Sequence, residues 1–188
     1  MDLLSIFSAF GLSASAGLNA YIPLLVIALL ARFTNLIQLG SPWNTLTSWW
    51  IIGLLLVLSL IEFFADKIPA VNHINDVIQT VIRPTAGAVA FAASAHVISN
   101  THPVLALAAG LLVAGGIHVV KAVAVRPAVT AATAGVGNIP VSFAEDIVAT
   151  VLSILSVVVP VVIACILVFV TAWIILRLWR KSRQPVHA

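Results

Sequence analysis

The sequence predicts an all-α membrane protein, a polytopic bundle of transmembrane helices, and three observations support this prediction. Hydrophobic residues make up 62% of the 188-residue chain and charged residues 8%, whereas about 25% of the residues in soluble domains are charged. Apolar stretches close to the ~20 residues that cross a bilayer recur along the whole chain. The polar residues are concentrated in two stretches, 60–85 and 126–146. We therefore expect a single transmembrane domain over residues 1–188.

The apolar stretches predict about six membrane spans. The first is longer than one straight span needs, and the sequence GLNAYIP at residues 17–23 interrupts it. This interruption predicts either a broken helix that is covered by protein or by a water-filled cavity, or a proline kink between closely packed helices. A hinge near Pro160 separates the last two spans. The predicted spans are residues 3–31, 49–64, 84–99, 104–120, 143–159 and 161–179.

Two further segments are neither ordinary spans nor ordinary loops. In residues 69–82, polar side chains recur at spacings of three and four while aliphatic side chains fill the other side. This pattern predicts an amphipathic helix at the membrane interface or along a polar vestibule. Pro84 is expected to end that helix and to open the third span. Residues 124–142 are rich in Gly, Ala and Thr, which predicts a buried segment that is non-helical or re-entrant.

The distribution of Lys and Arg predicts the orientation in the membrane. With six spans, only Arg32 lies on the outer side, and all other basic residues lie on the cytoplasmic side. We therefore expect a multi-pass protein of the bacterial inner membrane with both termini in the cytoplasm. The basic residues of the C-terminal tail are interpreted as a topology anchor, and nucleic acid is not an expected partner.

Short matches within the chain suggest an internal repeat. Arg83-Pro84 precedes TAGAVA, Arg126-Pro127 precedes AVTAATAG, and GLNAYIP resembles the later GVGNIP. Two halves of three helices each would have opposite orientations, as in inverted-repeat transporters. The sequence therefore suggests an inverted repeat of two three-helix halves.

Three motifs carry a resemblance to a known family: EFFADKIP at residues 62–69, IRPTAGA at 82–88 and GNIPVSFAED at 137–146. Over nearly its whole length, the chain resembles a bacterial family of small membrane proteins catalogued as domain of unknown function 4126. The resemblance implies a multi-span inner-membrane protein and brings no activity with it. The first motif is also similar, more loosely, to the Glu-x-x-Asp-Lys-Thr motif of cation exchangers. It departs from that motif by one additional residue between Glu62 and Asp66 and by Ile68 in place of Thr.

Carboxylates beside apolar spans are the strongest functional signal, because a charge at the centre of a membrane helix costs ~2.5 to 3.5 kcal/mol on insertion scales. Glu62 and Asp66 stand four residues apart and share a helix face. With other carboxylates and amides they could supply the oxygen ligands that a hard cation needs. The candidate ion- or substrate-binding residues are Asn19, Glu62, Asp66, Asn72, His73, Asp76, Asn138, Glu145 and Asp146, and the candidate charge partners are Lys67, Arg83, Lys121 and Arg126.

The same charges also have a purely structural explanation. The four basic candidates could neutralise Asp66, Asp76, Glu145 and Asp146, and these pairs would lock the cytoplasmic ends of the helices together. In that explanation the carboxylates bind no ligand, and they serve only to hold the bundle.

Other function classes lack a sequence pattern. No two histidines have the spacing of metal ligands on a helix, and the chain shows neither an organised catalytic triad motif nor a phosphate-binding loop. We therefore expect no enzymatic activity, no cofactor and no metal site. The favoured function is a small transporter or channel for a cation or protons that uses membrane-embedded carboxylates. The alternatives are a lipid-binding membrane protein and an accessory or assembly subunit of a larger membrane complex. The expected partners are membrane lipids, a small cation or proton, and a second copy of the chain or another membrane subunit.

Overall fold

The computed structural model describes residues 3–94, 103–159, 166, 169–173 and 177, except for the side chains of residues 3, 4 and 69–73. The all-α prediction is confirmed, since the described residues form helices joined by turns and loops, with a 3-10 helix at Trp43–Thr47, and contain no strand. The α-helices are α1 (Leu3–Leu18), α2 (Tyr21–Phe33), α3 (Trp49–Ala65), α4 (Pro69–Ser94), α5 (Pro103–Val120), α6 (Arg126–Thr133) and α7 (Asn138–Val158). A π-helical turn, Lys121–Val125, joins α5 to α6.

The first apolar stretch is broken between α1 and α2, at the place where GLNAYIP predicts an interruption. The side-chain oxygen of Asn19 accepts hydrogen bonds from the backbone N–H groups of Tyr21 and Ile22, both at 3.1 Å. These contacts satisfy two of the backbone donors that a new helix leaves free at its N-terminus. Pro23 lies in the first turn of α2, where a missing N–H costs nothing. The break is therefore encoded locally by Asn19 and Pro23.

The prediction that Pro84 ends a helix is wrong, because Pro84 lies inside α4, which is 26 residues long in total. A proline in a helix interior costs ~3 kcal/mol, so packing on both sides has to offset that cost. After the proline, α4 lies very close to α5: a Cβ added at Gly87 would stand 2.1 Å from the Cβ of Ala114. This close approach, and the contacts of α4 with α1, hold the helix on the far side of Pro84.

The non-helical interpretation of residues 124–142 is also wrong. Residues 103–133 form one continuous helical segment, and α7 begins at Asn138, so that only a short turn separates them. Alanine is the best helix former, and the alanine-rich sequence extends the helix up to that turn. At the turn, Ala134 and Gly135 have positive φ angles of 51° and 89°. The re-entrant placement of this segment stays a prediction.

Many large apolar side chains are exposed and several charged side chains are buried, which is the reverse of their distribution in a soluble protein. The buried core at α1 and its neighbours consists largely of alanines, with Leu12 and Ile27 as large members. On α4, Arg83 is fully buried, whereas Val77 and Val81 are 65% and 71% exposed. Soluble proteins rarely expose continuous apolar surfaces of this kind. Two helical segments, 103–133 and 138–158, are long and apolar enough to cross a membrane, so a membrane protein is the class that the structure supports.

Labelling of α4 tests this inverted arrangement. In a background where Cys165, the single cysteine, is replaced by serine, we expect cysteines at Val77 and Val81 to react with a lipid-soluble reagent and to resist a water-soluble one. A cysteine at Gln79, whose side chain is buried in the bundle, should resist both reagents. The measurement is mass-spectrometric labelling of the protein in liposomes. Reaction of Val77 and Val81 cysteines with the water-soluble reagent would contradict a lipid-facing surface.

Several sequence predictions fall on residues that the structure leaves undescribed. They are the end of the third span, the hinge near Pro160, most of the sixth span and most of the basic tail. The side chains of Asn72 and His73 also lie outside the described part of the chain. The six-span count, the inverted repeat and the cytoplasmic termini remain predictions.

Candidate functional site

A buried network of charged side chains surrounds the break between α1 and α2. Five of the six acidic residues of the sequence take part in it, together with four of the nine basic residues. The acids are Glu62, Asp66, Asp76, Glu145 and Asp146, and the bases are Lys67, Arg83, Lys121 and Arg126. The residues come from the end of α3, from α4, from the π turn and its C-terminal flank, and from α7. We call this set the charge network.

Glu62 connects the charge network to the helix break. Its side chain, in the last turn of α3, is 1% exposed. One carboxylate oxygen accepts hydrogen bonds from Arg83 Nη2 at 3.0 Å and from Arg83 Nε at 3.2 Å, and the other accepts from the backbone N–H of Ala20 at 3.1 Å. A carboxylate is favoured at a helix N-terminus, where the free N–H groups carry a partial positive charge. Glu62 therefore stabilises the start of α2 and the buried Arg83 together.

Asp66 contacts more cations than any other acid in the described structure. It directly follows α3, and its Oδ2 lies 3.3 Å from Nη2 of Arg83, 3.3 Å from Nη2 of Arg126 and 3.7 Å from Nζ of Lys121. Its Oδ1 accepts a hydrogen bond from Nδ2 of Asn75 at 2.7 Å. Burial acts to raise the pKa of Asp66, but Lys121, Arg83 and Arg126 outweigh it and hold that pKa below its ordinary value. The carboxylate is therefore kept as an anion.

The π turn brings two cations onto one side of the same helical segment. Lys121 opens this turn and Arg126 follows it. In an α-helix, residues five apart are rotated by about 140° around the axis, and the wider π turn removes much of that difference. Both cations reach Glu145, with Nζ of Lys121 at 2.7 Å and Nη2 of Arg126 at 3.2 Å from its Oε2. Arg126 Nη1 also lies 3.6 Å from Oδ2 of Asp76.

A second branch of the charge network runs through Asp146. Its Oδ2 accepts a hydrogen bond from Nζ of Lys67 at 2.8 Å, and its Oδ1 accepts one from Nδ2 of Asn19 at 3.0 Å. Since Asn19 also caps α2, this branch ties α7 and the α3–α4 link to the helix break. Between α1 and α7, the hydroxyls of Ser15 and Ser153 also lie 2.7 Å apart.

His118 also belongs to the charge network, although it was not among the site residues predicted from the sequence. Its Nε2 lies 3.1 Å from the Thr80 hydroxyl oxygen, and its Nδ1 lies 3.4 Å from Nη1 of Arg83. The spacing of three between His118 and Lys121 on an apolar helix was the available sequence signal, because residues three apart share a helix face. Asn75 was also missed. The sequence around it does not distinguish it from Asn72, which was predicted as a site residue instead.

Most of the predicted site residues come together, but not as an open ligand sphere for a cation. The carboxylates of Glu62, Asp66, Asp76, Glu145 and Asp146 are all in contact with Lys or Arg side chains. No group of three or more His, Cys, Asp and Glu residues suited to a metal ion occurs among the described residues. Asn138 donates from its Nδ2 to the Thr130 hydroxyl at 2.8 Å rather than to a carboxylate.

Two cavities of about 410 Å³ each reach the charge network from different directions. The first, which we call the vestibule, is lined by Asp66, Lys67, Thr130, Asn138 and the turn at residues 134–136. The second, which we call the groove, has apolar walls that include Leu18, Ile117 and Val148, and it reaches Lys121 and Glu145. The vestibule also has apolar lining, including Ile139, but it presents more polar surface than the groove, and both cavities reach the same set of charges.

Comparison with known proteins identifies the family. The model of the family described as "Domain of unknown function (DUF4126)" matches residues 6–181. No curated protein and no solved structure matches the chain. The family match covers nearly the whole chain, so the protein belongs to this family.

Proposed function

We infer that the chain is a small membrane transporter or channel for protons or a small cation. The description of its family names no activity. The observation that carries this inference is Glu62, a carboxylate that is 1% exposed and bound to both Arg83 and the broken end of α2. Ionisable residues at membrane depth typically mark ion pathways and proton relays. Broken helices at that depth are typical of transporter binding sites. Both features coincide here at one side chain.

The contacts of Glu62 suggest how protonation would act. As an anion, Glu62 accepts hydrogen bonds from Arg83 and from the Ala20 N–H. A proton on Glu62 removes its charge, so the attraction to Arg83 and to the helix N-terminus weakens. Arg83 retains Asp66 as a partner at 3.3 Å. The proposed step is therefore a transfer of Arg83 toward Asp66 that frees the helix break.

The cavities and hydroxyls around Glu62 supply the ends of the proposed pathway. The vestibule reaches Asp66, which shares Arg83 with Glu62. Next to Glu62 at the helix break, Asn19 caps α2, and one turn earlier on α1 the hydroxyl of Ser15 lies 2.7 Å from that of Ser153. We propose that the path continues along these groups. Hydroxyls can both donate and accept hydrogen bonds, so this path suits proton passage better than the passage of a large solute.

The proposed membrane arrangement follows the positive-inside rule. We propose six spans in a bacterial inner membrane with both termini in the cytoplasm, supported by the basic residues near the charge network and in the tail. In this arrangement the vestibule opens toward the cytoplasm, because it is lined by Asp66 and Lys67.

Replacing Glu62 with glutamine tests the proposed function directly. Glutamine keeps the shape and the hydrogen-bonding reach but loses the titratable charge, so proton or cation flux should fall by about 100-fold, the lower end of what a positioned proton-transfer group contributes. The measurement is flux into proteoliposomes, read beside thermal unfolding in detergent. Asp76→Asn is the matched control, because Asp76 is 24% exposed and lies 3.6 Å from Arg126; it should change flux by much less.

Two results would contradict the proposal. One is unchanged flux in Glu62→Gln together with unfolding destabilised by about 3 to 5 kcal/mol, the cost of breaking a buried ion pair. That result would support the accessory or assembly subunit, whose charges serve only to hold helices together. The other is no flux from the native protein with any of a panel of monovalent and divalent cations.

A lipid-binding function is the second candidate, and the groove favours it. Its walls are apolar over most of their extent, and Lys121 and Glu145 supply charge at one end. An acyl chain along Val148 and Ile117 would place a lipid head group near Lys121. Retention of a lipid by the native protein, and its loss in Val148→Trp, would support this candidate over transport if flux is absent.

A further inference from the structure

The ammonium group of Lys67 lies in a box of aromatic rings and oxygen atoms. Its Nζ is 3.4 Å from the ring centroid of Phe63 and 4.3 Å from that of Phe143. The same nitrogen donates to Oδ2 of Asp146 at 2.8 Å and to the backbone carbonyl of Phe63 at 2.9 Å. The two rings meet edge to face, with 5.4 Å between their centroids. We call this arrangement the ammonium box.

The chemistry of the ammonium box distinguishes between classes of cation. Aromatic faces attract cations through the ring quadrupole and are the usual recognition surface for organic ammonium groups. A hard cation such as Ca²⁺ takes six to eight oxygen ligands, whereas this box offers one carboxylate and one carbonyl. A primary ammonium has three N–H donors, and two of them are used by Asp146 and Phe63. The box therefore suits a primary ammonium better than a hard metal cation.

The vestibule borders the ammonium box at the Lys67 side chain and supplies the proposed path for a free cation. Lys67 lies on the short link between α3 and α4 and itself lines that cavity. The cavity volume of about 410 Å³ is large enough to receive the displaced Lys67 side chain. Asn138 lines the same cavity, and its Oδ1, buried from solvent, has no hydrogen-bond partner. This unpaired acceptor belongs to a residue beside the path that we propose for the cation.

We propose that the ammonium box is a binding site for ammonium ion and small primary alkylammonium cations, in which Lys67 is a tethered occupant that the free cation displaces. Asp146 and the two phenylalanine rings hold the cation, and Asn19 orients Asp146 through its hydrogen bond to Oδ1. The site assigns the substrate class of the proposed transporter, and to that extent it rests on the proposed function. Lys67 then holds the site closed when no substrate is present.

Removing the tethered occupant provides the first test. In Lys67→Ala, ethylammonium can occupy the space of the outer two carbons and the nitrogen. We expect it to bind the variant at least about tenfold more tightly than the native protein, because it no longer competes with a tethered ammonium group for the same carboxylate and rings. The readout is the thermal unfolding midpoint during titration with ethylammonium chloride, compared with sodium chloride. A ligand that binds only the folded state raises that midpoint.

The double variant Lys67→Ala/Asp146→Asn is the control for specificity. It should show no response to ethylammonium beyond that to sodium, because the carboxylate is gone. Recovery of folded Lys67→Ala only when ethylammonium is present would also support the site. A folded Lys67→Ala that responds equally to sodium and ethylammonium would overturn the proposal.

A second variant decides the outcome if Lys67→Ala does not fold under any condition. Lys67→Met keeps much of the apolar part of the side chain and removes the ammonium group, so a free cation no longer competes with a tethered one. Binding of radiolabelled methylammonium to Lys67→Met in detergent should weaken about tenfold in Lys67→Met/Phe143→Leu, which removes one ring face. Phe64→Leu in the same background is the matched control, because Phe64 packs against Phe63 and its ring is not one of those over the Lys67 ammonium. No methylammonium binding to the native protein, or binding to Lys67→Met that Phe143→Leu leaves unchanged, would overturn the site.

The failure of this site and the failure of the proposed function give different results. Proton or cation flux without any ammonium binding would overturn the ammonium site and leave the transport function standing. Ammonium binding without flux of any cation would overturn the transport function and leave the site standing.

Discussion

Replacing Arg83 with methionine is expected to lower the free energy of unfolding by about 3 to 5 kcal/mol, because it leaves a buried carboxylate without its cation. Arg83 is fully buried, and it is the one Lys or Arg among the described residues that forms an ion pair with Glu62. Asp66 keeps Lys121 and Arg126 as partners, so the loss should be concentrated at Glu62. The measurement is urea or thermal unfolding of the purified protein in detergent.

A double-mutant cycle separates the ion pair from packing around Arg83. In Arg83→Met/Glu62→Gln, no unpaired charge remains at this position, and we expect at least half of the lost stability to return. Replacing both members of a buried pair with neutral groups is often nearly neutral or stabilising. Equal destabilisation in the single and the double variant would show that the apolar part of Arg83, rather than its charge, supports the fold.

Replacing Gly87 with alanine is the second substitution for which we expect a large effect. The new Cβ would lie 2.1 Å from the Cβ of Ala114 and 3.1 Å from the carbonyl oxygen of Gly110. Neither neighbour is the flexible end of a side chain, so α4 and α5 would have to move apart. Overpacking of this kind costs typically 1 to 3 kcal/mol, and we expect about 3 kcal/mol because a whole helix interface is affected. Thermal unfolding in detergent measures it.

A compensating substitution tests the geometry of this interface. Ala114→Gly in the Gly87→Ala background removes the atom that the new Cβ would meet, and most of the stability should return. Gly53→Ala on α3 is the matched control, because nothing lies within 4 Å of a Cβ at that position. It should be neutral or slightly stabilising, as alanine is a better helix former than glycine. Equal losses in Gly87→Ala and Gly53→Ala would contradict a close α4–α5 contact.

The amino-acid sequence by itself indicated the class of the protein and most members of its charge network. Long apolar stretches favour a membrane protein, because their burial from water needs a bilayer or a large core. The scarcity of charges made each one informative. Glu62, Asp66, Glu145 and Asp146 were nominated because a carboxylate beside an apolar span is costly. The helix break at Asn19 was also predictable, since a cap and a proline act within a few residues.

The pairing of those charges was decided only by the tertiary structure. Glu62 and Arg83 are 21 residues apart, and Arg126 and Asp66 are 60 apart. Several pairings satisfy the same composition, and electrostatic attraction between side chains depends on distance in space rather than on separation in sequence. The sequence proposed oxygen ligands for a cation, whereas the structure places Lys and Arg side chains among those oxygens.

The backbone conformation likewise depends partly on the local sequence and partly on tertiary contacts. Pro84 is a local signal that opposes a helix, yet it lies inside the continuous helix α4. Contacts such as Gly87 against Ala114 supply free energy that overrides this local signal, and such contacts form only when distant helices meet. The π turn before Arg126 and the ammonium box around Lys67 likewise depend on side chains from different helices. Local propensities are encoded residue by residue, whereas close packing and ion pairing are properties of the assembled bundle.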